Sequence, residues 1–286
     1  MIVPQGAVSR FAEVDGFRIH YLEAGDVGRP HLVLMHSCDY GSSAEFSWEH
    51  NIPALARHFH IIAPDMLGYG LSDKVYDFGG HMPYRLRSLR RLLQMLCIDD
   101  ADFIGNSCGA SFLLQVAAAN GADYRNVLPL RKIVMVSASA IGPPGPGRAI
   151  FEAYDGSKDA MRRLVRTIFF SDRWANDEVY VERKHVEGNR PGHWEAVTAS
   201  RLAMPGRAAA PRRNPPWERC VVPAMFVNGD HDTILAERDG GMDNVRGIRG
   251  ARFHVVPKSG HCTQIEHPET FHDLVLDFLD PRSPRH

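Results

Sequence analysis

The chain has 286 residues, of which 44% are hydrophobic, and its formal net charge at pH 7 is −1. A chain of this length can bury a full core, as one large domain or two modest ones. The near-zero charge gives no electrostatic footprint for nucleic acid or an anionic membrane, so we expect neither as a partner. The sequence holds no run of about 18 apolar residues that could span a bilayer, and its first residues do not resemble a signal peptide.

The cysteines indicate the compartment. There are five of them, an odd number, and their spacing matches no metal or disulfide motif. We therefore expect free thiols in a reducing cytoplasm, with no metal and no other cofactor. The five are Cys38, Cys97, Cys108, Cys220 and Cys262.

The chain opens with two alternating segments, residues 8–14 and 17–22, which flank the tight-turn dipeptide Asp15-Gly16 and predict a β-hairpin. Beyond it, short apolar runs typical of buried strands alternate with segments of helical spacing. This alternation predicts an α/β fold, a mostly parallel sheet flanked by helices. The predicted strands are residues 31–36, 59–63, 101–104, 132–137, 224–227 and 253–256, and the predicted helices are residues 47–57, 83–97, 110–119 and 268–279.

One long segment breaks the alternation. Residues 141–219 open with a proline-glycine run and hold two or three helical segments without a clear strand. We interpret this segment as a helical lid, or cap, inserted over the carboxyl edge of the sheet, with the proline-rich residues 208–216 as its return linker. Residues 1–140 and 220–286 then form the core.

The pentapeptide Gly105-Asn106-Ser107-Cys108-Gly109 lies between a predicted strand and a predicted helix. A Gly-x-Ser-x-Gly motif in that context indicates a nucleophile elbow, in which a sharp turn exposes the serine at the sheet edge. The flanking glycines lack a Cβ, so strand and helix can approach each other closely. Ser107 is therefore the predicted nucleophile.

A serine hydroxyl needs a base to activate it, and the base needs an acid to orient it. In the elbow fold the acid and then the histidine follow the serine in chain order. His261 follows the last predicted strand, and Asp232 or Asp230 follows the strand before it. We favour Asp232 as the acid and Asp230 as a turn residue. A metal site at residues 230–232 is disfavoured because no second cluster has ligand spacing.

The predicted oxyanion hole uses two backbone N–H groups. One belongs to Cys108, directly after the nucleophile. The other comes from the loop after the strand at residues 31–36, and Cys38 is the candidate. The cysteine side chains at these places are interpreted as small packing groups, because a thiolate would need stabilisation that the sequence does not indicate.

Together these residues resemble the α/β-hydrolase superfamily over nearly the whole chain apart from the lid. Within it, the chain is similar to the meta-cleavage-product hydrolases, which break carbon–carbon bonds in ring-opened aromatic compounds. The turn at residues 65–73 resembles the superfamily, and Asn106 before the nucleophile, residues 36–48 and residues 260–268 carry the resemblance to this group. The sequence departs from that group where Ser37, Cys38 and Asp39 replace glycines, Tyr40 replaces proline and Cys262 replaces tryptophan.

The resemblance implies a set of substrate-binding residues: Asn106, Arg183, Ser37, Trp174 and Cys262. Arg183 stands where the group carries a substrate-binding arginine, and on a helix it shares an apolar stripe with Val179 and Val186. Its guanidinium could form a bidentate hydrogen bond with a substrate carboxylate, pair with Glu182 or Glu187, or extend to water. Trp174, with the neighbouring lid aromatics Phe169, Phe170 and Trp194, lines an aromatic pocket or forms lid core.

The predicted function is serine-dependent hydrolysis of a carbon–carbon bond in a 2-hydroxy-6-oxo-dienoate, a small-molecule vinylogous 1,5-diketone. The first alternative is an ester or lactone hydrolase with the same Ser-His-Asp triad. Two others are a cofactor-free dioxygenase or lyase, and a ligand receptor with a vestigial site. A homo-oligomer is compatible with the resemblance.

Overall fold

The computed structural model describes residues 2–78, 81–119, 125–138, 145–199, 219–235 and 247–280. Its centre is an eight-stranded sheet. The strands are β1 (Ala7–Val14), β2 (Phe17–Ala24), β3 (His31–Met35), β4 (His60–Pro64), β5 (Ala101–Asn106), β6 (Leu130–Val136), β7 (Ala224–Gly229) and β8 (Arg252–Val256). In space they run β1-β2-β4-β3-β5-β6-β7-β8.

The sheet is mostly parallel, as predicted. Only β1 with β2 and β2 with β4 pair antiparallel; all other neighbours are parallel. The predicted hairpin is confirmed, with Val14 opposite Phe17 in the register. Asp15 and Gly16 have φ angles of 49° and 82°, the left-handed pair that a two-residue hairpin turn requires.

Ten α-helices are described: α1 (Ala44–Trp48), α2 (Ile52–Leu55), α3 (His81–Met95), α4 (Cys108–Ala119), α5 (Lys158–Ile168), α6 (Arg173–Asn176), α7 (Glu178–Gly188), α8 (His193–Ala199), α9 (Thr263–Glu266) and α10 (Pro268–Leu279). The single helix predicted at residues 47–57 is wrong, since α1 and α2 occupy this region. Pro53 has no N–H to donate, so a second helix starts there. The Ser43 hydroxyl accepts the Phe46 N–H, which starts α1 three residues early.

Helices cover both faces of the sheet. On one face Leu86, Leu89 and Leu93 of α3 belong to the larger apolar cluster, and Leu96, just after α3, is partly buried against it. On the other face Trp48 and residues of α10 form a second cluster. In the described part of the chain, no helix combines the length and the apolar character needed to cross a membrane.

Residues 145–199 contain a 3₁₀ helix (Pro146–Phe151) and the helices α5 to α8. This is more than the two or three helical segments predicted. The Asp177 carboxylate accepts the N–H groups of Val179 and Tyr180 at 2.9 and 3.1 Å and thereby starts α7 as a helix separate from α6. No strand occurs between residues 145 and 199, and the predicted return linker lies outside the described residues.

The turn after β4 fixes the loops at the carboxyl edge. The Asp65 carboxylate accepts hydrogen bonds from His20 Nδ1 at 2.6 Å and from the N–H groups of Ala44 and Leu71 at 2.8 Å each. Gly70 has φ +50°, and a Cβ there would lie 1.9 Å from Asp65 Oδ2. Glycine is therefore required for the carboxylate to reach its donors.

We expect Asp65→Ala to lower the free energy of unfolding by about 3 kcal/mol, because three donors, two of them buried, lose a charged acceptor. Asp26→Ala is the control, since the Asp26 carboxylate accepts the Gly28 N–H in an exposed turn. Urea denaturation at pH 7 measures both variants. An equal effect of the two substitutions would contradict the role given to Asp65.

Candidate active site

The site lies at the carboxyl edge of the sheet, beside the switch point between β3 and β5. The strand order places β4 on one side of β3 and β5 on the other. Connections that leave in opposite directions open a crevice at this edge, where open α/β sheets bind ligands. Met35 at the end of β3 is paired with Gly105 in β5, so the loops that follow both strands meet here.

Ser107 occupies a sharp turn between β5 and α4. Its φ of 54° lies in the left-handed region, which is strained for a residue with a side chain. The turn is held because Ser107 N–H donates to Val136 O at 2.9 Å and Ser107 O accepts from Ser111 N at 2.8 Å. A Cβ on Gly105 would lie 2.5 Å from Ala110 N, and one on Gly109 would lie 2.6 Å from Met35 O. Both glycines are therefore sterically required.

The predicted base and acid are in direct contact. His261 Nδ1 lies 2.7 Å from Asp232 Oδ2. The other carboxylate oxygen of Asp232 accepts the N–H groups of Ile234 and Leu235 at 2.9 and 3.2 Å. Burial by itself lowers the pKa of the His261 imidazole, but the Asp232 carboxylate outweighs burial and the net pKa is raised. Asp232 shows the reciprocal effect: burial raises its pKa, and His261 with the backbone donors brings it below the usual value.

Asp230 has a different surrounding. Its Oδ1 lies 2.6 Å from His231 Nδ1 and accepts the Ser259 N–H at 3.2 Å, so it braces the turn. This supports Asp232 over Asp230 as the partner of His261. Within the described ranges, no group of three or more His, Cys, Asp or Glu side chains is placed to hold a metal ion.

Backbone contacts join the histidine loop to the elbow and to the segment predicted as lid. Asn106 Nδ2 donates to His261 O at 3.3 Å, and His261 N–H donates to Ile168 O at 2.7 Å. The residue before the predicted nucleophile therefore holds the backbone of the predicted base.

Glu266 was missed as a site residue by sequence reasoning. Its carboxylate accepts the N–H groups of Gly260 at 2.6 Å, and of Phe170 and Ser171 at 3.0 Å each. It thereby ties the residue before His261 to the segment that follows α5. Its only signal in the sequence was its place in the 260–268 motif.

The second predicted oxyanion donor lies in the loop after β3, residues 36–43. His36 at its start is buried; Met66 N–H donates to His36 Nε2 at 2.9 Å, and His36 Nδ1 donates to Ser37 O. The Tyr69 hydroxyl donates to Cys38 O at 3.1 Å. Burial raises the pKa of the Cys38 thiol, and also that of Cys262, so the surroundings of neither thiol favour a thiolate.

The same loop contains a charge that the sequence analysis did not assign. Asp39 is buried, and its Oδ1 accepts the hydroxyls of Ser37 and Ser42. Lys184 of α7 is also buried and places Nζ 2.8 Å from Asp39 Oδ2. The two buried groups carry opposite charges and therefore form an ion pair. A lysine in a helical pattern gives no sequence signal for such burial.

Arg183 lies in a different setting from the one expected. Val179 and Val186 are 69% and 56% exposed, so the proposed apolar stripe faces solvent. The partners of the guanidinium are neither Glu182 nor Glu187. Its Nη2 donates to Glu45 at 2.8 Å and to Glu49 at 2.7 Å. A bidentate hydrogen bond from arginine to a carboxylate uses Nη2 together with Nε or Nη1. Such a bond to a substrate therefore requires Glu45 or Glu49 to release Nη2.

The four aromatic residues named from the sequence in this segment divide into two groups. Trp174 stacks on Phe169 at a centroid distance of 4.9 Å and meets Tyr180 edge-on at 5.0 Å. Phe170 and Trp194 are 43% and 41% exposed. Trp174 and Phe169 therefore form a packed cluster, and the other two do not share it.

Residues 32–274 match the alpha/beta hydrolase family. The chain belongs to this family. It is 31% identical over 288 residues to 2-hydroxymuconate semialdehyde hydrolase of Pseudomonas sp. (strain CF600), covering 98% of this chain and 97% of that protein.

A second relative and a solved structure agree. The 2-hydroxy-6-oxo-6-(2'-aminophenyl)hexa-2,4-dienoic acid hydrolase of Metapseudomonas resinovorans is 28% identical over 280 residues, covering 96% of this chain and 92% of the relative. The crystal structure of a serine hydrolase involved in carbazole degradation (CarC) superposes with a TM-score of 0.78 at 25% identity, covering 96% and 100% of the two chains. The predicted resemblance to meta-cleavage-product hydrolases is confirmed.

We expect Arg183→Gln in this hydrolase to lower the free energy of unfolding by about 2 kcal/mol, because Glu45 is buried and both glutamates lose their cation. Arg166→Gln is the matched control, since it removes an exposed ion pair with Asp172. Thermal unfolding compares the two variants. A wild-type Tm for Arg183→Gln would contradict the anchoring role.

Asp232→Asn should lower the pKa of His261. The carboxylate raises that pKa, so its removal leaves burial as the dominant effect and the imidazole loses its proton at lower pH. NMR titration of the His261 ring measures the midpoint. Asp230→Asn is the control and should leave the midpoint unchanged; the reverse pattern would make Asp230 the acid.

Proposed function

We propose that this hydrolase cleaves a carbon–carbon bond in a 2-hydroxy-6-oxo-dienoate, using Ser107, His261 and Asp232 as a triad. Full-length similarity to two hydrolases of such compounds supports the substrate class. The observation that carries the chemistry is the strained turn at Ser107, which stands beside the Asp232–His261 pair through the contact of Asn106 with His261.

In the proposed reaction the substrate first ketonises, so that the bond to be broken lies next to a carbonyl and is conjugated to an electron sink. His261, oriented by Asp232, takes the proton from Ser107 or from a water that attacks the carbonyl carbon. When the carbon–carbon bond breaks, its electron pair enters the dienolate, which takes up a proton, and net addition of water yields a 2-hydroxy-dienoate and an acid.

The carbonyl oxygen becomes negative during attack. Cys108 N–H at the start of α4 and Cys38 N–H in the loop after β3 are the proposed donors, and each such donor stabilises a transition state by about 3 kcal/mol. The N-terminal end of α4 adds the positive end of the helix dipole.

The other proposed substrate contacts are Asn106, Arg183, Ser37, Trp174 and Cys262. Arg183 is proposed to bind the dienoate carboxylate through Nη2 together with Nε or Nη1, after Glu45 or Glu49 releases Nη2. Ser37 and Cys262 are buried and limit the space near the loop after β3 and next to His261. We also propose that residues 141–219 form the lid, and that the enzyme works in the cytoplasm.

Turnover of a synthetic 2-hydroxy-6-oxo-hexa-2,4-dienoate, followed by loss of its dienoate absorbance, tests this function. We expect Ser107→Ala to lower kcat by at least about 1,000-fold, because it removes the nucleophile or its proton relay. Ser111→Ala in α4 is the matched control.

Parallel assays separate the alternatives. Rapid turnover of a short p-nitrophenyl ester without turnover of the dienoate would replace the proposal with an ester or lactone hydrolase. Oxygen consumption during turnover would indicate a dioxygenase.

A further inference from the structure

The loop that carries the proposed Cys38 donor also carries a buried carboxylate. Asp39 follows Cys38 directly, and its Oδ1 accepts the hydroxyls of Ser37 and Ser42. A negative charge at this place opposes the negative charge that develops on a substrate carbonyl oxygen. Its electrostatic influence extends through the site, because the Asp39 carboxylate contributes to raising the pKa of both His261 and Cys262.

The compensating charge comes from α7, in the proposed lid. Lys184 is 3% exposed, and its Nζ lies 2.8 Å from Asp39 Oδ2. Burial by itself raises the pKa of Asp39, but Lys184 and the two serine hydroxyls outweigh burial and hold it well below its usual range. Two buried charges of opposite sign stabilise one another, whereas either one alone would be strongly unfavourable.

The backbone on either side shows that α7 and α8 dock onto this loop. Gly41 has φ +74°, and a Cβ there would lie 2.5 Å from Lys184 O. Gly41 N–H donates to His193 Nε2 at 3.0 Å, while His193 Nδ1 donates to Gly68 O at 2.9 Å. The position of the loop is therefore set largely by residues 184–193, more than 140 positions away in the chain.

We propose that Lys184 is a positioning residue for the oxyanion hole: by pairing with Asp39 it fixes the loop that presents Cys38 N–H and cancels the carboxylate charge beside the developing oxyanion. This inference rests on the proposed function of Ser107. It assigns to Lys184 a task distinct from that of the adjacent Arg183, whose guanidinium binds Glu45 and Glu49 of the α1 region.

Lys184→Met should lower kcat by about 100-fold, the loss expected when one oxyanion donor is misplaced, with KM changed by less than about threefold. Lys158→Met is the matched control, because Lys158 is a partly exposed lysine that bridges Glu178 and Glu182. Lys184→Arg keeps the charge and should retain more activity than Lys184→Met.

The double variant Asp39→Asn/Lys184→Met gives the sharpest result. It removes both charges and keeps an oxygen for Ser37 and Ser42, so its kcat should exceed that of Lys184→Met by at least about tenfold. A wild-type kcat in folded Lys184→Met would overturn the proposal. So would a double variant whose fold-loss in kcat equals the product of the losses measured for Lys184→Met and for Asp39→Asn alone. If Lys184→Met does not fold, the double variant must remain within about tenfold of wild-type kcat.

The rate of Ser107 labelling by a fluorophosphonate separates this proposal from the proposed function. Phosphonylation also places a negative oxygen in the oxyanion hole, so Lys184→Met should label about 100-fold more slowly and the double variant should recover. A wild-type enzyme that labels at Ser107 but leaves the dienoate intact would reject the substrate class. The labelling rates of the variants would still test the role of Lys184. Equal labelling rates in all variants would refute the positioning role.

Discussion

The arrangement of this hydrolase depends on the left-handed turn at Ser107. β5 must reverse into α4 within one residue while lying against the end of β3, and glycine at positions 105 and 109 alone leaves room for that. Backbone hydrogen bonds with Val136 and Ser111 hold Ser107 in its strained conformation at φ 54°. Asn106 and Cys108 are aimed by the same turn, one toward the histidine loop and the other along the start of α4.

Residues 145–199 are connected to both sides of the proposed reaction centre. On the histidine side, Ile168 accepts the His261 N–H and Glu266 holds Phe170 and Ser171. On the oxyanion side, Lys184 and His193 hold Asp39 and Gly41. A movement of this segment would therefore disturb the predicted base and the predicted oxyanion loop together, because both are bonded to it.

The sequence was sufficient for features that depend on local chemistry or chain order. The hairpin at Asp15-Gly16, the alternating strands and helices, and the elbow at residues 105–109 each follow from a few neighbouring residues. The choice of Asp232 over Asp230 as the partner of His261 followed from order and turn preference, and the observed contact agrees with it.

What the sequence could not indicate are pairings between distant side chains. Lys184 and Asp39 are 145 positions apart, as their numbers show, and each resembles an ordinary surface charge until α7 packs on the loop. The stripe argument for Arg183 failed for the same reason. Periodicity identified a face of the helix, but which face α7 buries was decided by Tyr180, Val181 and Lys184.

The central claim is that Ser107, His261 and two backbone N–H groups converge on one reacting carbonyl. The most direct measurement is a crystal structure of the enzyme after reaction with a fluorophosphonate. We expect phosphorus bonded to Ser107 Oγ, its oxygen within about 3 Å of the N–H groups of Cys108 and Cys38, and the His261 ring beside Ser107 Oγ. An adduct on another residue, or a phosphonyl oxygen pointing away from both N–H groups, would contradict the account.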